Sequence, residues 1–135
     1  MKTEPTFLSV DEVVTIHDRM IQKFGGSLEI RDYGLLESAV MMPAAQFGGE
    51  FLHPNLPSMA GAYLFHLCQN HPFIDGNKRT AVASAEAFIV ANNHILHATD
   101  KELEALTLGV AQRRISKQEA IAFFRKHIRA TKRSQ

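Results

Sequence analysis

The 135-residue chain has a single cysteine and almost no excess of either charge. One cysteine, Cys68, excludes an internal disulfide and is typical of a protein from a reducing compartment. Lys and Arg together number 15, against 14 Asp and Glu. This balance argues against a protein that binds nucleic acid directly, because such proteins usually carry a large basic excess.

The sequence also shows no pattern typical of a signal peptide or of a membrane-spanning segment. Residues 1–5 lack the apolar run of a signal peptide. Residues 51–74 contain no Asp, Glu, Lys or Arg, but prolines interrupt them, and their amides and imidazoles would lose water in a bilayer. We therefore expect a cytoplasmic protein without a membrane partner, in which residues 51–74 hold a central helix buried on most sides.

Length and helix signals predict the architecture. A chain of this size buries about 68% of its unfolded surface, enough for one domain over residues 1–135. Capping-box pairs open three helices, namely Ser9 with Glu12, Thr99 with Glu102 and Ser116 with Glu119. Further helices are expected from Asp32, from residues 55–58 and from Asn77.

Strand signals are few. Residues 28–30 and 95–96 are the only short extended candidates, and the basic residues 126–133 are interpreted as a solvated or frayed end. No long alternating run is present. The predicted fold class is therefore all-α, a compact bundle of about six helices.

The densest group of chemically active residues is the run HPFIDGNKR, residues 71–79. It lies between two predicted apolar helices. The N–H groups and dipole at the start of the helix near Asn77 favour an anion, and Gly76 allows a tight turn close to a ligand. Lys78 adds a point charge and Arg79 a planar fork suited to phosphate. Together with a donor amide on Asn77, these residues predict a phosphate site.

The same run carries groups for proton transfer and for a metal. His71 carries an imidazole, the side chain most often used for proton transfer in enzymes, and could accept a proton from an attacking hydroxyl. Asp75 could hold Mg²⁺, which is usually bound by one or two carboxylates together with substrate phosphates. Phe73 is expected to point into the core and to fix the loop.

This run resembles the signature of the Fic/Doc superfamily, His-x-Phe-x-Asp/Glu-x-Asn-Gly/Lys-Arg. All six specified positions match, as His71, Phe73, Asp75, Asn77, Lys78 and Arg79. Residues 33–39, with the sequence YGLLESA, and the pair Gly25-Gly26 are similar to the death-on-curing (Doc) branch, the toxins of toxin–antitoxin pairs. The resemblance implies a Fic/Doc-like bundle with a phosphate-binding loop at the N-terminus of a central helix.

The resemblance also implies an activity and a set of site residues. Fic enzymes that transfer AMP usually have Gly where this chain has Lys78, whereas Doc-type kinases have Lys and transfer the γ-phosphoryl group of ATP. The implied catalytic residues are His71, Asp75, Lys78 and Arg79, and the implied nucleotide-binding residues are Gly76, Asn77, Lys78 and Arg79. Asp75 is the implied ligand of Mg²⁺. The implied target is a threonine of a translation factor, elongation factor Tu, whose phosphorylation stops translation.

Inhibition is expected from another chain. No segment matches the self-inhibitory motif of the superfamily, Ser/Thr-x-x-x-Glu-Gly/Asn, so an antitoxin that folds onto the toxin is the expected partner. Residues 46–52 are either a flap that aligns the target chain by strand addition or an ordinary loop in which Phe47 and Phe51 fill the core.

Three alternatives stay open. AMP transfer is one. A Doc-like module that binds nucleotide or antitoxin without catalysis is another, because Gln69 and Ala83 replace a basic residue and an asparagine of the best-known Doc toxin. The third is a metal-dependent phosphohydrolase. Its ligands would come from the following residues: His17, Asp18, His53, His66, His71 and His94.

Overall fold

The computed structural model describes residues 4–131, and within this range it contains six α-helices and two small antiparallel sheets. The helices are α1 (Val10–Phe24), α2 (Tyr33–Met41), α3 (Leu56–Asn70), α4 (Asn77–Ala91), α5 (Asp100–Ala111) and α6 (Lys117–His127). The strands are β1 (Gln46–Phe47), β2 (Glu50–Phe51), β3 (His94–Leu96) and β4 (Ile128–Ala130). A short 3₁₀ turn, Met42–Ala44, follows α2. The predicted all-α bundle of about six helices is confirmed.

The helices begin where their capping residues predict. All three predicted capping boxes form, at the starts of α1, α5 and α6. Asn55 and Ser58 make a fourth box at the start of α3, and the Asp32 carboxylate accepts from the Leu35 N–H at 2.9 Å at the start of α2. Such caps satisfy N–H groups that have no partner inside the helix.

Helix α3 is the centre of the bundle, as the absence of charged residues from positions 51–74 predicted. It contacts α2, α4, α5 and α6. Its buried residues are Ser58, Met59, Ala60, Gly61, Ala62, Tyr63, Leu64, Leu67 and Cys68. Gly61 lets α6 approach closely, since a Cβ there would lie only 2.6 Å from Cγ1 of Ile121. No helix within residues 4–131 is both long enough and apolar enough to cross a membrane.

The strands differ in part from the expectation. Residues 95–96 do lie in β3, but residues 28–30 form no strand and make one isolated bridge, between Ile30 and Phe73. The frayed-end interpretation was wrong for Ile128–Ala130, which forms β4 and pairs antiparallel with β3. This partner lies more than thirty residues earlier in the chain, so no local pattern indicated it. Residues 132 and 133 lie outside the described part of the chain.

Residues 46–51 form a β-hairpin, β1–β2. Gly48 and Gly49 both have positive φ, +61° and +82°, as the two central residues of a tight hairpin turn require. Phe47 is 81% exposed, so the expectation that it fills the core was wrong. Phe51 does pack against the core, with its ring centroid 5.7 Å from that of Phe7.

Candidate active site

The signature run forms a short loop, residues 71–76, which we call the motif loop. It joins the C-terminal end of α3 to the N-terminal end of α4. A left-handed residue lies at each end: His71 with φ +49° and ψ +55°, and Gly76 with φ +81° and ψ +15°. These two residues turn the chain sharply between the two most central helices.

Phe73 fixes the middle of the motif loop in the core, as predicted. It is 1% exposed, and the imidazole of His17 stacks on its ring with 3.7 Å between centroids. Nε2 of His17 donates to the backbone carbonyl of Asp75 at 2.8 Å. One buried side chain of α1 therefore supports the loop through both stacking and a hydrogen bond.

Asn77 has a different role from the predicted one. Its side chain is buried; Oδ1 accepts from the Phe73 N–H at 3.0 Å and Nδ2 donates to the Phe73 carbonyl at 2.9 Å. A side chain held in this way ties the motif loop to the first turn of α4 and is not turned toward a phosphate in solvent. Only the backbone N–H of Asn77 fits the predicted phosphate contact.

Gly76 cannot readily be replaced. Its φ of +81° is unfavourable for any residue with a side chain, and a Cβ there would lie 3.1 Å from Cδ1 of Ile21. Close packing against α1 thus adds to the conformational requirement. The predicted reason for a glycine at this position, a tight turn, is confirmed.

The α1–α2 connection, residues 25–32, supports the outer side of the motif loop. The N–H groups of Arg31 and Asp32 both donate to the Pro72 carbonyl, at 2.7 and 3.0 Å. The Ile74 N–H donates to the Glu29 carbonyl at 3.2 Å. The loop backbone is therefore bonded on one side to this connection and on the other to α1 and α4.

The reactive side chains of the motif loop and of the first turn of α4 are exposed. His71, Asp75, Lys78 and Arg79 are all exposed. One carboxylate oxygen of Asp75, Oδ2, accepts from the Ser27 N–H at 2.8 Å. Gly26 permits this contact, since a Cβ on it would lie 2.9 Å from Cβ of Asp75. These four predicted site residues are therefore open to solvent, and the bond to Ser27 holds the Asp75 carboxylate.

Arg79 packs on an aromatic ring that no sequence pattern assigned to the site. Its guanidinium carbon lies 3.9 Å from the centroid of the Phe24 ring. Phe24 is the last residue of α1 and is 49% exposed. A guanidinium over a ring face is a favourable cation–π arrangement, so the position of Arg79 depends on the end of α1.

The N-terminus of α4 differs from those of the other helices within residues 4–131. Each of the other five has a side-chain cap, whereas the cap position of α4 is Gly76, which has no side chain to bond the first N–H groups. Those N–H groups have no side-chain cap, and the positive end of the helix dipole lies where the motif loop enters α4. This arrangement fits a phosphate group.

Cys68 lies near the site but is not a nucleophile. Burial raises the pKa of the Cys68 thiol to about 12, although the positive charge of Lys78 acts in the opposite direction. The thiol is therefore protonated at neutral pH, and only the thiolate is strongly nucleophilic.

The metal-dependent phosphohydrolase gains no support from the geometry. Within residues 4–131 no three His, Cys, Asp or Glu side chains come together in a way that could hold a metal ion. His17 is fully buried against Phe73, which confirms the prediction that it packs. A Mg²⁺ ion held mainly by substrate phosphates needs only one or two carboxylates from the protein, and Asp75 fits that requirement.

Comparison with known proteins agrees with this geometry. The family model described as the Fic/DOC family matches residues 7–89, which include α1 to α3, the motif loop and all but the last two residues of α4. The chain belongs to the Fic/DOC family. The predicted membership is confirmed, and the matched range contains every residue assigned to the site.

Two curated Fic/DOC relatives are similar to this chain. One, named Toxin Doc, from Mycolicibacterium smegmatis (strain ATCC 700084 / mc(2)155), is 49% identical over 69 residues, which are 51% of this chain and 53% of the relative. The other, named Protein kinase doc, from Escherichia phage P1, is 32% identical over 109 residues, 81% of this chain and 85% of the relative. The match thus spans about half the length of the first relative and most of the second.

Proposed function

We propose that this protein is an ATP-dependent protein phosphotransferase that acts as the toxin of a type II toxin–antitoxin system. The observation that carries the proposal is the N-terminus of α4, which has no side-chain cap and directly follows a loop whose His71 and Asp75 are exposed. The names of the two relatives, a toxin and a protein kinase, support the same function. We propose that residues 1–135 act as one catalytic domain in the cytoplasm.

In this proposal His71 is the general base. Its imidazole is exposed at the C-terminal end of α3, where it accepts the proton of a Thr or Ser hydroxyl on the target. Such proton transfer typically contributes about 10²–10⁴-fold to a rate. Asp75 is the second catalytic residue. One of its carboxylate oxygens, Oδ2, accepts a hydrogen bond from the Ser27 N–H.

The phosphates are held by the start of α4. The N–H groups of the first turn, beginning with the Gly76 backbone and including that of Asn77, donate to phosphate oxygens. Lys78 and Arg79 offset the charge that spreads over the phosphoryl oxygens in the transition state. Asp75 would hold Mg²⁺, which would supply positive charge to neutralise part of the charge of the ATP phosphates.

Two other activities compete with γ-phosphoryl transfer. AMP transfer is the Fic-type alternative, and Lys78 disfavours it, because glycine usually occupies that position in the AMP-transferring enzymes. A non-catalytic module is the other alternative. Position 69 has Gln in place of the basic residue of the best-known Doc toxin, which favours this alternative. The Gln69 side chain donates to the Val110 carbonyl at 2.7 Å and is therefore bonded to α5.

The proposed partners are an antitoxin and a translation factor. An antitoxin chain is expected to inhibit in trans, because the sequence has no self-inhibitory motif of the superfamily. The proposed target is elongation factor Tu, aligned by strand addition along the exposed β1–β2 hairpin. No role for nucleic acid or membrane is proposed.

The test uses ATP labelled separately at the α- and γ-phosphates. The purified protein is incubated with Mg²⁺, each labelled ATP and a bacterial lysate, and then with purified elongation factor Tu. Label on protein from γ-labelled ATP alone supports the proposal. Label from the α position identifies an AMP transferase, and label from neither identifies a non-catalytic module. The His71→Ala variant is the control for contaminating kinases.

A further inference from the structure

Arg31 makes an unusual set of contacts at the C-terminal end of α3. Its Nε donates to the His71 carbonyl at 2.7 Å and its Nη2 donates to the Asn70 carbonyl at 2.9 Å. Its backbone N–H donates to the Pro72 carbonyl at 2.7 Å. Three successive carbonyl groups around the general base therefore accept hydrogen bonds from one residue of the α1–α2 connection.

The end of α3 needs such an external donor. A helix that ends in a left-handed residue normally satisfies its last carbonyls with the N–H groups of that residue and the next one, and the left-handed residue is usually glycine. Here the left-handed residue is His71, at φ +49°, and the next residue is Pro72, which has no N–H to donate. The carbonyl of Asn70, the last residue of α3, also lacks a partner inside the helix. The Arg31 side chain donates to this carbonyl and to the His71 carbonyl that follows it.

We propose that Arg31 is a positioning residue for His71. Arg31 bonds the carbonyl groups of Asn70, His71 and Pro72 and so holds the left-handed backbone from which the exposed His71 side chain extends. This inference rests on the proposed function, in which His71 is the general base. Arg31 does not itself touch the reacting groups in this scheme.

The shape of the side chain matters as much as its charge. A guanidinium presents Nε and Nη donors in a rigid fork, which matches two carbonyls of adjacent residues. A lysine in the same place supplies one ammonium group on a flexible stem and cannot hold both carbonyls in a fixed geometry. Arg31→Lys is therefore expected to keep only part of the activity that Arg31→Ala loses.

The kinetic experiment compares Arg31→Ala and Arg31→Lys with the natural protein, using γ-labelled ATP. A displaced base slows the chemical step, so kcat is expected to fall about 10- to 100-fold in Arg31→Ala, with less loss in Arg31→Lys. The KM for ATP is expected to stay within about two-fold. Arg129→Ala is the matched control, since Arg129 bonds the Lys126 and Ile128 carbonyls at the end of α6; it is expected to keep the natural kcat.

A double-mutant cycle tests whether Arg31 acts through His71. If it does, Arg31→Ala causes no further loss of the residual rate in the His71→Ala background, because the base it positions is gone. Equal fold losses in the two backgrounds would overturn the proposal. A fall in kcat that only parallels the unfolded fraction measured by circular dichroism would overturn it as well.

A measurement that needs no activity separates this inference from the proposed function. In carbon-13 spectra of the histidine rings, Arg31→Ala is expected to shift or broaden the His71 signal and to leave the buried His17 signal in place. An unchanged His71 signal in folded Arg31→Ala protein refutes the positioning role, even if the natural protein is an active kinase. A protein that transfers no label but shows the expected His71 change refutes the kinase and keeps the positioning role.

Discussion

The imidazole of His17 lies almost flat on the ring of Phe73, with the two planes only 5° apart. Both side chains are buried. The same imidazole donates through Nε2 to the Asp75 carbonyl, so a single histidine joins the core of the bundle to the solvent-facing loop. Stability and site geometry are therefore coupled at this pair of residues.

His71→Ala is expected to abolish toxicity and to leave folding intact. The side chain is exposed, so its loss removes little packing, while the loss of a general base costs about 10²–10⁴-fold in rate. Growth of cells that express the variant and the thermal melt of the purified protein check the two parts. Growth arrest by a folded His71→Ala protein would show that another group is the base.

Phe73→Ala is expected to lower the free energy of unfolding by ~3–5 kcal/mol, as the loss of a buried aromatic side chain does. The ring is 1% exposed and stacks on His17. Phe47→Ala is the matched control, because Phe47 is 81% exposed. Urea denaturation measures both variants, and equal midpoints would mean that Phe73 does not anchor the loop.

His17→Phe tests the hydrogen bond separately from the stacking. The substituted ring can still pack on Phe73, but the Asp75 carbonyl loses its donor at 2.8 Å. We expect a loss of ~1–3 kcal/mol in the free energy of unfolding and a lower rate of phosphoryl transfer. Denaturation and γ-label transfer are the measurements. A variant with natural stability and rate would show that the carbonyl needs no partner.

Gly76→Ala is expected to weaken nucleotide binding. The backbone has φ +81°, and the new Cβ would lie 3.1 Å from Cδ1 of Ile21. The conformational strain alone costs ~1–3 kcal/mol, and the contact with Ile21 displaces the N–H groups of α4. Gly49→Ala is the comparison, with φ +82° and no atom within 4 Å. Calorimetric titration with ATP should show weaker binding for Gly76→Ala only.

Phe24→Leu is expected to disturb Arg79. The guanidinium loses a ring face 3.9 Å away, and an exposed cation–π contact is worth ~0.5–1 kcal/mol. The KM for ATP should then rise by about two- to five-fold. Phe24→Tyr keeps the ring and should keep the natural KM. Identical values for Leu and Tyr variants would contradict the role assigned to the ring.

Stability is expected to fall on mild acidification because of His66. Burial, with smaller contributions from Lys117 and His53, lowers the pKa of His66 to about 4 from an ordinary value of 6.5. At a pH between these two values the unfolded chain therefore binds more protons than the folded chain. The free energy of unfolding thus keeps its full value above pH 6.5 and decreases as the pH falls toward 4. Urea denaturation from pH 7.5 to 5 measures this decrease.

Two substitutions test the assignment to His66. His66→Gln cannot titrate and should flatten the pH dependence. His97→Gln, at an exposed position, should leave it unchanged. If His66→Gln shows the natural slope, another group is responsible; His53 is the first to examine, because burial lowers its pKa as well.

Much of the fold was predictable from local patterns. Capping pairs such as Ser9 with Glu12 specify a helix start by a bond between residues three apart, and this information is local. Of the two- and three-residue strands only part of β3, residues 95–96, was predicted, since strands this short show no period. Strand β4 pairs with β3 although the whole of α5 and α6 lies between them in the chain, so only the folded chain brings its partner into place.

The sequence by itself determined the family, the helical bundle and the run of residues that carries the chemistry, because all three depend on residue types at fixed short spacings. Only the tertiary structure decided how that chemistry is held. It turned the Asn77 side chain inward to Phe73, placed Phe24 under Arg79, and brought Arg31 to the carbonyls around His71. The physical reason is that these contacts, apart from that of Asn77, join residues tens of positions apart, and their partners are fixed by packing between helices.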